Sequence, residues 1–432
     1  MIDVADEIDQ YLQRLFPLCR SLTGEPNRET LSIIQEIVPL TIHEVPSGTQ
    51  VYDWVVPDEW TVRDAWIADA SGDRIVDFKS NNLHLVSYST PIHSSMSWEE
   101  LKPHIHKHHH LPDAIPYRTS YYQRNWGFCV TDAQYQQLAN YTEPLTVMVD
   151  TELKPGSLSY GEFLLPGDSK QEILISCYIC HPSMANDSLS GVLLTAFLAR
   201  QLARAKQRNW SYRFIFVPET IGAIAYCARN EAVMRAIDIG LVVTTVGGPG
   251  AFGYKQSFDH MHPINTMIET VLVEMGKDFL TYPFDIHGSD ERQYSSQSIG
   301  INTATISKDR YYEYQEYHSS LDNLDFVVGQ HIKETLDIYL ELITKLEARK
   351  IYRNKIPSCE VMLSKYNLYP SKGGHQLPEM NERSEIDLLL WILFLCNGRN
   401  SLDDIALKLK VDSSCLYPIV SRLEEKGVLE LV

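Results

Sequence analysis

Near the start of the chain, apolar residues recur every three to four positions in two places. Ile8, Leu12, Leu15 and Phe16 form one stripe and Leu31, Ile34 and Ile37 another, which predicts two amphipathic helices within residues 1 to about 40. From about 50 to 145 the period shortens. VYDWVVP, EWTVRDAWIAD, RIVDF and HLVSYS alternate apolar and polar residues between Pro, Gly and Asp breakers, the pattern of a β-rich unit. Between about 150 and 350, apolar runs alternate with helical stretches. EILISCYI precedes GVLLTAFLARQLARA, YRFIFVPE precedes a helix near Ala223 to Met234, and LVVTTVG and NTATIS come before the long helix ending ELITKLEA. Such alternation predicts an α/β fold with a mostly parallel central sheet flanked by helices.

The remaining segments set the boundaries. Pro357, Pro370, Gly373, Gly374 and Pro378 mark residues 351–380 as a linker, and three short helices and a strand in 381–432 predict a winged-helix-like module. The main α/β domain then takes residues 1–48 and 146–350, with the β-rich unit, 49–145, inserted in it. The run HIHKHHH at 104–110 reads as an exposed loop whose metal binding is adventitious.

Composition narrows the partners. With 38 Lys and Arg against 56 Asp and Glu, the net charge is −18, which disfavours nucleic acid and anionic lipid. The longest apolar run, Leu388 to Cys396, is too short to cross a bilayer, and the acidic N-terminus does not read as a signal peptide. Eight scattered cysteines without an export signal predict buried free thiols in a cytoplasmic protein. Cys177-Tyr178-Ile179-Cys180-His181 fits a haem-attachment motif only formally, and VGGPGAFG lacks the Lys-Ser/Thr of a phosphate loop. Residues 379–432 hold ten acids and six bases, so the terminal module suits protein contact or self-association better than DNA.

Ligands of parallel sheets bind beyond the carboxyl ends of the strands. His181 and Asp187 follow the first strand there, Glu219 follows the second, and His318 lies in the polar loop YHSSLDN. Imidazole nitrogen and carboxylate oxygen suit zinc, and a further carboxylate beside it can act as general base. In the GSDERQY segment, Asp290 and Glu291 could hold a substrate amine and Arg292 a carboxylate. Tyr226, Tyr312 and Tyr314 could donate to an oxyanion.

The order His, Asp-x-x-x-Gly, Glu, His at strand ends resembles the M28 and M20 zinc peptidases. A closer resemblance is to a bacterial aminopeptidase-like family that joins an M28-type domain to an interposed β-rich domain and a C-terminal winged helix. The phrases that carry it are SLTG, VPSGTQVYDWVVPDEW, IPYRTSYY, WGFCV, CHPSMANDSLSG, PETIGAIAY, GSDERQY and EYHSSLDN. The resemblance implies a zinc-exopeptidase-like fold. It implies His181, Asp187 and His318 as metal ligands and Glu219 as general base. Asp187 matches the aspartate that bridges two metals in classical M28 and M20 members, but Thr220 stands where those members have a second metal-binding glutamate. Thr244 and Thr245 stand where an aspartate is expected. The expectation is therefore one zinc per chain and hydrolysis of a peptide or small amide. Two alternatives stay open: Glu219 as ligand with Asp290 or Glu291 as base, and a protein that binds metal or ligand without turnover. A ligand-responsive regulator acting through the winged helix is the third reading.

Overall fold

A strand with no polar face needs cover on both sides, and the most apolar runs of this chain sit at the centre of its largest sheet. The computed structural model describes residues 3–310, 312–369 and 384–432, in two units, Met1–Glu341 and Leu342–Val432. In the first unit eight strands lie in the order Thr41–Pro46, Ser157–Leu165, Ser211–Val217, Glu172–Tyr178, Ile239–Val242, Asn302–Ser307, Phe252–Lys255 and Phe279–Tyr282. The four middle strands, from Ser211–Val217 to Asn302–Ser307, are mutually parallel. Antiparallel partners flank them on either side. The mostly parallel, helix-flanked sheet is thus as the alternation predicts. The two N-terminal helices, Val4–Leu15 and Glu25–Gln35, bury Ile8, Leu12 and Leu15 and Leu31 and Ile34 of the stripes read from the sequence. Phe16 and Ile37 fall just past the helix ends, Phe16 half-buried and Ile37 buried.

The β-rich insert forms its own antiparallel sheet, ordered Arg74–Asp77, Glu59–Ala68, Leu145–Lys154 and Ile92–Met96. Leu145–Lys154 alternates buried and half-buried residues, so this sheet runs past the boundary at 145 read from the sequence. The histidine run departs from the loop expected. Ile105–Lys107 is a strand paired parallel with Phe128–Val130, because Ile105 alternates with half-buried neighbours and fills the insert's core. His104 stacks on Trp126 with ring centroids 3.8 Å apart.

The second unit pairs Ile351–Asn354 with Asn397–Ser401 and Leu429–Leu431, beside helices Glu385–Leu395, Leu402–Leu409 and Tyr417–Glu425. Residues 351–354, read as the start of a linker, are the middle strand of this small sheet, with Ile351 and Tyr352 buried in it. The linker residues 370–380 lie outside the described residues. All eight cysteines are free, but Cys359 and Cys415 are exposed where burial was expected, since both lie in surface segments of this unit. Among the described residues no helix is long and apolar enough to cross a membrane.

Helix Gly191–Ala203 packs on strand Glu172–Tyr178 and on helix Val4–Leu15, and starts where the sheet's carboxyl edge ends. Its first residue has no room for a side chain, because a Cβ on Gly191 would lie 2.2 Å from the Val243 carbonyl oxygen. Gly191→Ala is expected to cost about 2 kcal/mol, the scale of overpacking in a core. A urea midpoint equal to wild type would show that this helix can retreat without cost.

Candidate metal centre

Strand Glu172–Tyr178 carries the chain to His181 at the carboxyl edge of the sheet, and residues 185–190 turn it back into helix Gly191–Ala203. Every residue from 180 to 190 is buried. A buried turn must find partners for its polar backbone. Arg20, fully buried, donates from Nε to the His181 carbonyl at 3.0 Å. Asp322 receives the rest: its carboxylate accepts the N–H groups of Ala185 at 3.1 Å, Asn186 at 2.5 Å and Asp187 at 2.9 Å. Strand Ser211–Val217 ends two residues before Glu219, whose N–H donates to the Cys180 sulfur at 3.2 Å.

These turns bring the predicted residues together. His318 Nε2 lies 3.0 Å from Asp187 Oδ2, and His181 Nε2 lies 3.8 Å from Glu219 Oε2. One ligand atom from each of His181, Asp187 and His318 falls within 4.8 Å of the other two. A tetrahedral zinc holds nitrogen and oxygen ligands at about 2.0–2.2 Å, so its ligand atoms stand roughly 3.3–3.6 Å apart. The triangle of two nitrogens and one oxygen fits that demand with small side-chain movements. The chemistry fits as well. Burial, with His318 and Arg20 adding to it, brings His181 down to about 4, so its ring is neutral and has a lone pair to give. Burial opposes the Asp187 charge, but His181, His318 and Tyr178 outweigh it and bring that carboxyl down to about 2. Cys180, His181 and Glu219 form a second, overlapping group of the same size.

Glu219 differs from Asp187. Burial, then the charges of Asp290 and Asp187, hold its carboxyl well above the usual carboxylate range. Asp290 itself is pushed up to about 7 by burial, with Glu291 contributing.

The structure does not bring every expected residue into the cleft. Asp290 and Glu291 are buried rather than exposed: Asp290 accepts the Thr220 N–H at 2.8 Å and Glu291 accepts the Thr305 hydroxyl at 2.6 Å. Both support the floor of the site, since the short helix Glu291–Tyr294 turns its acids towards the sheet. Arg292 is exposed and donates to the Ile286 carbonyl at 3.2 Å. Tyr226 is fully buried and its hydroxyl serves Glu162 and Arg213, because its helix packs that face on strand Ser211–Val217. Tyr314 donates to Asp322 at 3.3 Å, and Tyr312 is exposed, ring to ring with Tyr317. Four residues absent from the sequence reading belong to the site: Arg20, Tyr117, Tyr178 and Asp322. Tyr178 donates to Asp187 Oδ1 and meets the Thr244 hydroxyl at 2.6 Å. Of the four, only Asp322 carried a legible signal, a carboxylate four residues after His318 in a polar loop.

Comparison with known proteins agrees with this architecture. A family model described as a domain of unknown function (DUF4910) matches residues 9–349, and one described as a winged helix-turn-helix matches residues 350–431. A Clostridium acetobutylicum protein named "putative polysaccharide biosynthesis protein with aminopeptidase-like domain" is 41% identical over 430 residues, covering 100% of this chain and 97% of its own. The crystal structure of a putative peptidase from the same organism superposes with a TM-score of 0.80 at 38% identity, over 99% of this chain and 96% of that one. A zinc aminopeptidase from Bacillus subtilis superposes with a TM-score of 0.56 at 10% identity, over 80% and 96%, a likeness of fold alone.

The support from Asp322 can be tested by itself. An amide at this position offers one oxygen and an NH2 group to three backbone donors, so a donor is left facing a donor. Asp322→Asn is expected to lower stability by about 2 kcal/mol, the cost of one unmade buried hydrogen bond. An unchanged thermal midpoint would mean that the turn holds itself.

Proposed function

Because the chain belongs to the DUF4910 family, on a fold shared with zinc aminopeptidases, we propose that its cleft binds one zinc ion through His181, Asp187 and His318 and hydrolyses an amide bond with Glu219 as general base. The observation that carries this reading is the convergence of the three candidate ligands, with the Glu219 carboxylate 3.8 Å from one of them. Zinc held there would supply a Lewis acid and a water of lowered pKa. The protein's own part is to place and move protons. Glu219 takes the proton of the attacking water on a carboxylate oxygen and delivers it to the departing amine. Its raised proton affinity suits a group that must both accept and release. Tyr178 fixes the Asp187 carboxylate through Oδ1, which leaves Oδ2 on the side of His318 and the candidate ligand triangle.

The substrate class follows from the field of the site and from the relative. Asp187 and Glu219 lie in the site, with Asp290 and Glu291 buried behind Glu219 and acting on it, and this acidic surround favours a substrate carrying an amine over an anionic one. A free peptide N-terminus and an N-acylated amino sugar both fit, and the name of the Clostridium relative favours the sugar. The winged-helix module serves as a protein-binding or self-association element. Its helix Glu385–Leu395 leaves Trp391 and Phe394 exposed, and its sequence lacks the basic face of a DNA reader.

Metal analysis of untagged protein is expected to find about one zinc per chain, lost in His181→Ala and in His318→Ala. Glu219→Gln is expected to keep the zinc and to lower turnover of an aminoacyl or N-acyl-amine substrate by roughly 10²–10⁴-fold. Zinc uptake without turnover of any library member, the same in wild type and Glu219→Gln, would select the reading of a binding protein. Thr220 and Thr244, in place of the expected carboxylates, are the residues that speak for it.

A further inference from the structure

A short segment of the β-rich insert, residues 115–121, reaches the loop that carries His318. Pro116 and Ser319 form an antiparallel bridge, and the Tyr117 N–H donates to the His318 carbonyl at 2.7 Å. The Ser320 N–H donates to the Ile115 carbonyl at 2.9 Å, and the Ile115 N–H to the Ser320 hydroxyl at 3.0 Å. These bonds surround a backbone that needs holding. His318 has φ of 52°, the left-handed region that side chains disfavour, and such a conformation persists only where its surroundings over-determine it.

The same segment reaches the imidazoles themselves. The buried Tyr117 ring lies 5.3 Å from the ring of His181 and 5.2 Å from that of His318, edge-on to the latter at 86°. The two imidazoles are 5.6 Å apart, so one aromatic ring braces both. The Tyr117 hydroxyl is anchored in turn by the Tyr121 hydroxyl at 2.8 Å.

A metal-bound histidine is normally oriented through its second nitrogen by a carboxylate, carbonyl or water. Among the described residues, the Nδ1 side of His181 meets the Cys180 sulfur at 3.5 Å, a weak partner. The polar contact of the His318 ring is with Asp187, itself a candidate ligand. Ring packing then helps set the direction of the two nitrogens. Tyr317 stacks on His318 with centroids 3.9 Å apart, and the Tyr178 ring lies 5.0 Å from that of His181. Of these three rings Tyr117 is the one that meets both imidazoles. We infer that Tyr117, carried by the insert, is a positioning residue that orients both candidate histidine ligands, so that the insert is a working part of the metal centre. The inference rests on the reading of His181 and His318 as zinc ligands.

The test measures metal affinity and leaves turnover aside. Zinc dissociation constants are obtained for the full chain by competition with a chromophoric chelator, beside the visible spectrum of the cobalt(II)-substituted protein. Tyr117→Phe keeps the ring and is expected to bind zinc as wild type does. Tyr117→Ala, with its fold checked by circular dichroism, is expected to bind zinc about 10-fold more weakly, the scale of losing an orienting partner, with altered cobalt bands. Should that variant not fold, Tyr117→Leu, which keeps bulk without a flat ring, carries the same expectation. Val149→Ala loosens the insert's sheet away from the histidines and is expected to leave zinc affinity unchanged. Folded Tyr117→Ala with wild-type affinity overturns the inference, and so does an equal loss in Val149→Ala. A wild type that takes up no zinc overturns the metal reading and this inference together, whereas the first two results overturn this inference alone.

Discussion

The carboxylate of Asp322, buried and facing three backbone N–H groups, is the interaction on which the rest of the centre depends. A parallel sheet brings its functional residues to the ends of its strands, where the backbone must turn. Here that turn is sunk beneath the surface from residue 180 to 190, away from solvent that would otherwise satisfy it. Burial raises the Asp322 carboxyl to about 7, against the pull of the amides it accepts. The arrangement is reciprocal. The loop that supplies Asp322 to the turn also supplies His318, and the turn returns Asp187 to His318. Each half supplies partners to the other, which ties together two segments more than a hundred residues apart.

The fold was legible because its signals are strong and local. EILISCY and SYRFIFV have no polar face, so only a covered, mostly parallel sheet accommodates them. His181, Asp187, Glu219 and His318 were legible for a topological reason: each follows a strand end or sits in a polar loop, and the sheet gathers such places on one rim. The supporting residues were hidden by their own chemistry. Tyr178 ends an apolar strand and reads as core, and Arg20 lies in a short link between two helices, where charge suggests solvent. Asp322 was the exception, a carboxylate four residues after His318 in a polar loop, although SLDN by itself reads as a turn former. Tyr226 failed in the opposite direction, since a tyrosine near a candidate general base suggests a donor while helical geometry turns it into the sheet. Asp290 and Glu291 were read as accessible because acids usually are.

The insert shows how a domain can matter to a site that none of its secondary structure enters. Its sheet is built by ordinary alternation, and its buried side chains join one hydrophobic cluster with main-sheet residues such as Leu174, Ile215 and Val217. The segment from Ile115 to Tyr121, between the sheet's strands in sequence, meets the two candidate histidines, while Asn82 donates to Ser183 and Leu83, Val86 and Cys129 cluster with Met184. Hydrogen bonds from a folded body fix a loop more cheaply than the loop's own residues could, because the entropy of ordering has already been met elsewhere.

Asp187 also bears on how many metal ions the centre would hold. A carboxylate that bridges two ions must offer one oxygen to each. Here Oδ1 accepts the hydroxyl of Tyr178, while Oδ2 faces His318 and the candidate ligand triangle. The same Tyr178 hydroxyl meets Thr244, which stands where the resemblance to M28 peptidases expects a second aspartate. A tyrosine and a threonine thus occupy the side of Asp187 on which a second ion would need carboxylates. Neutral hydroxyls bonded to each other give little to a divalent cation, which prefers charged oxygen or imidazole nitrogen. Thr220 fits the same pattern, since its backbone N–H is tied to Asp290 and it has no carboxylate to offer. Tyr178 and Thr244 are therefore one neutral, hydrogen-bonded pair beside Asp187, Thr220 is tied separately to Asp290, and under the proposed reading the candidate triangle of His181, Asp187 and His318 is the part left to hold an ion.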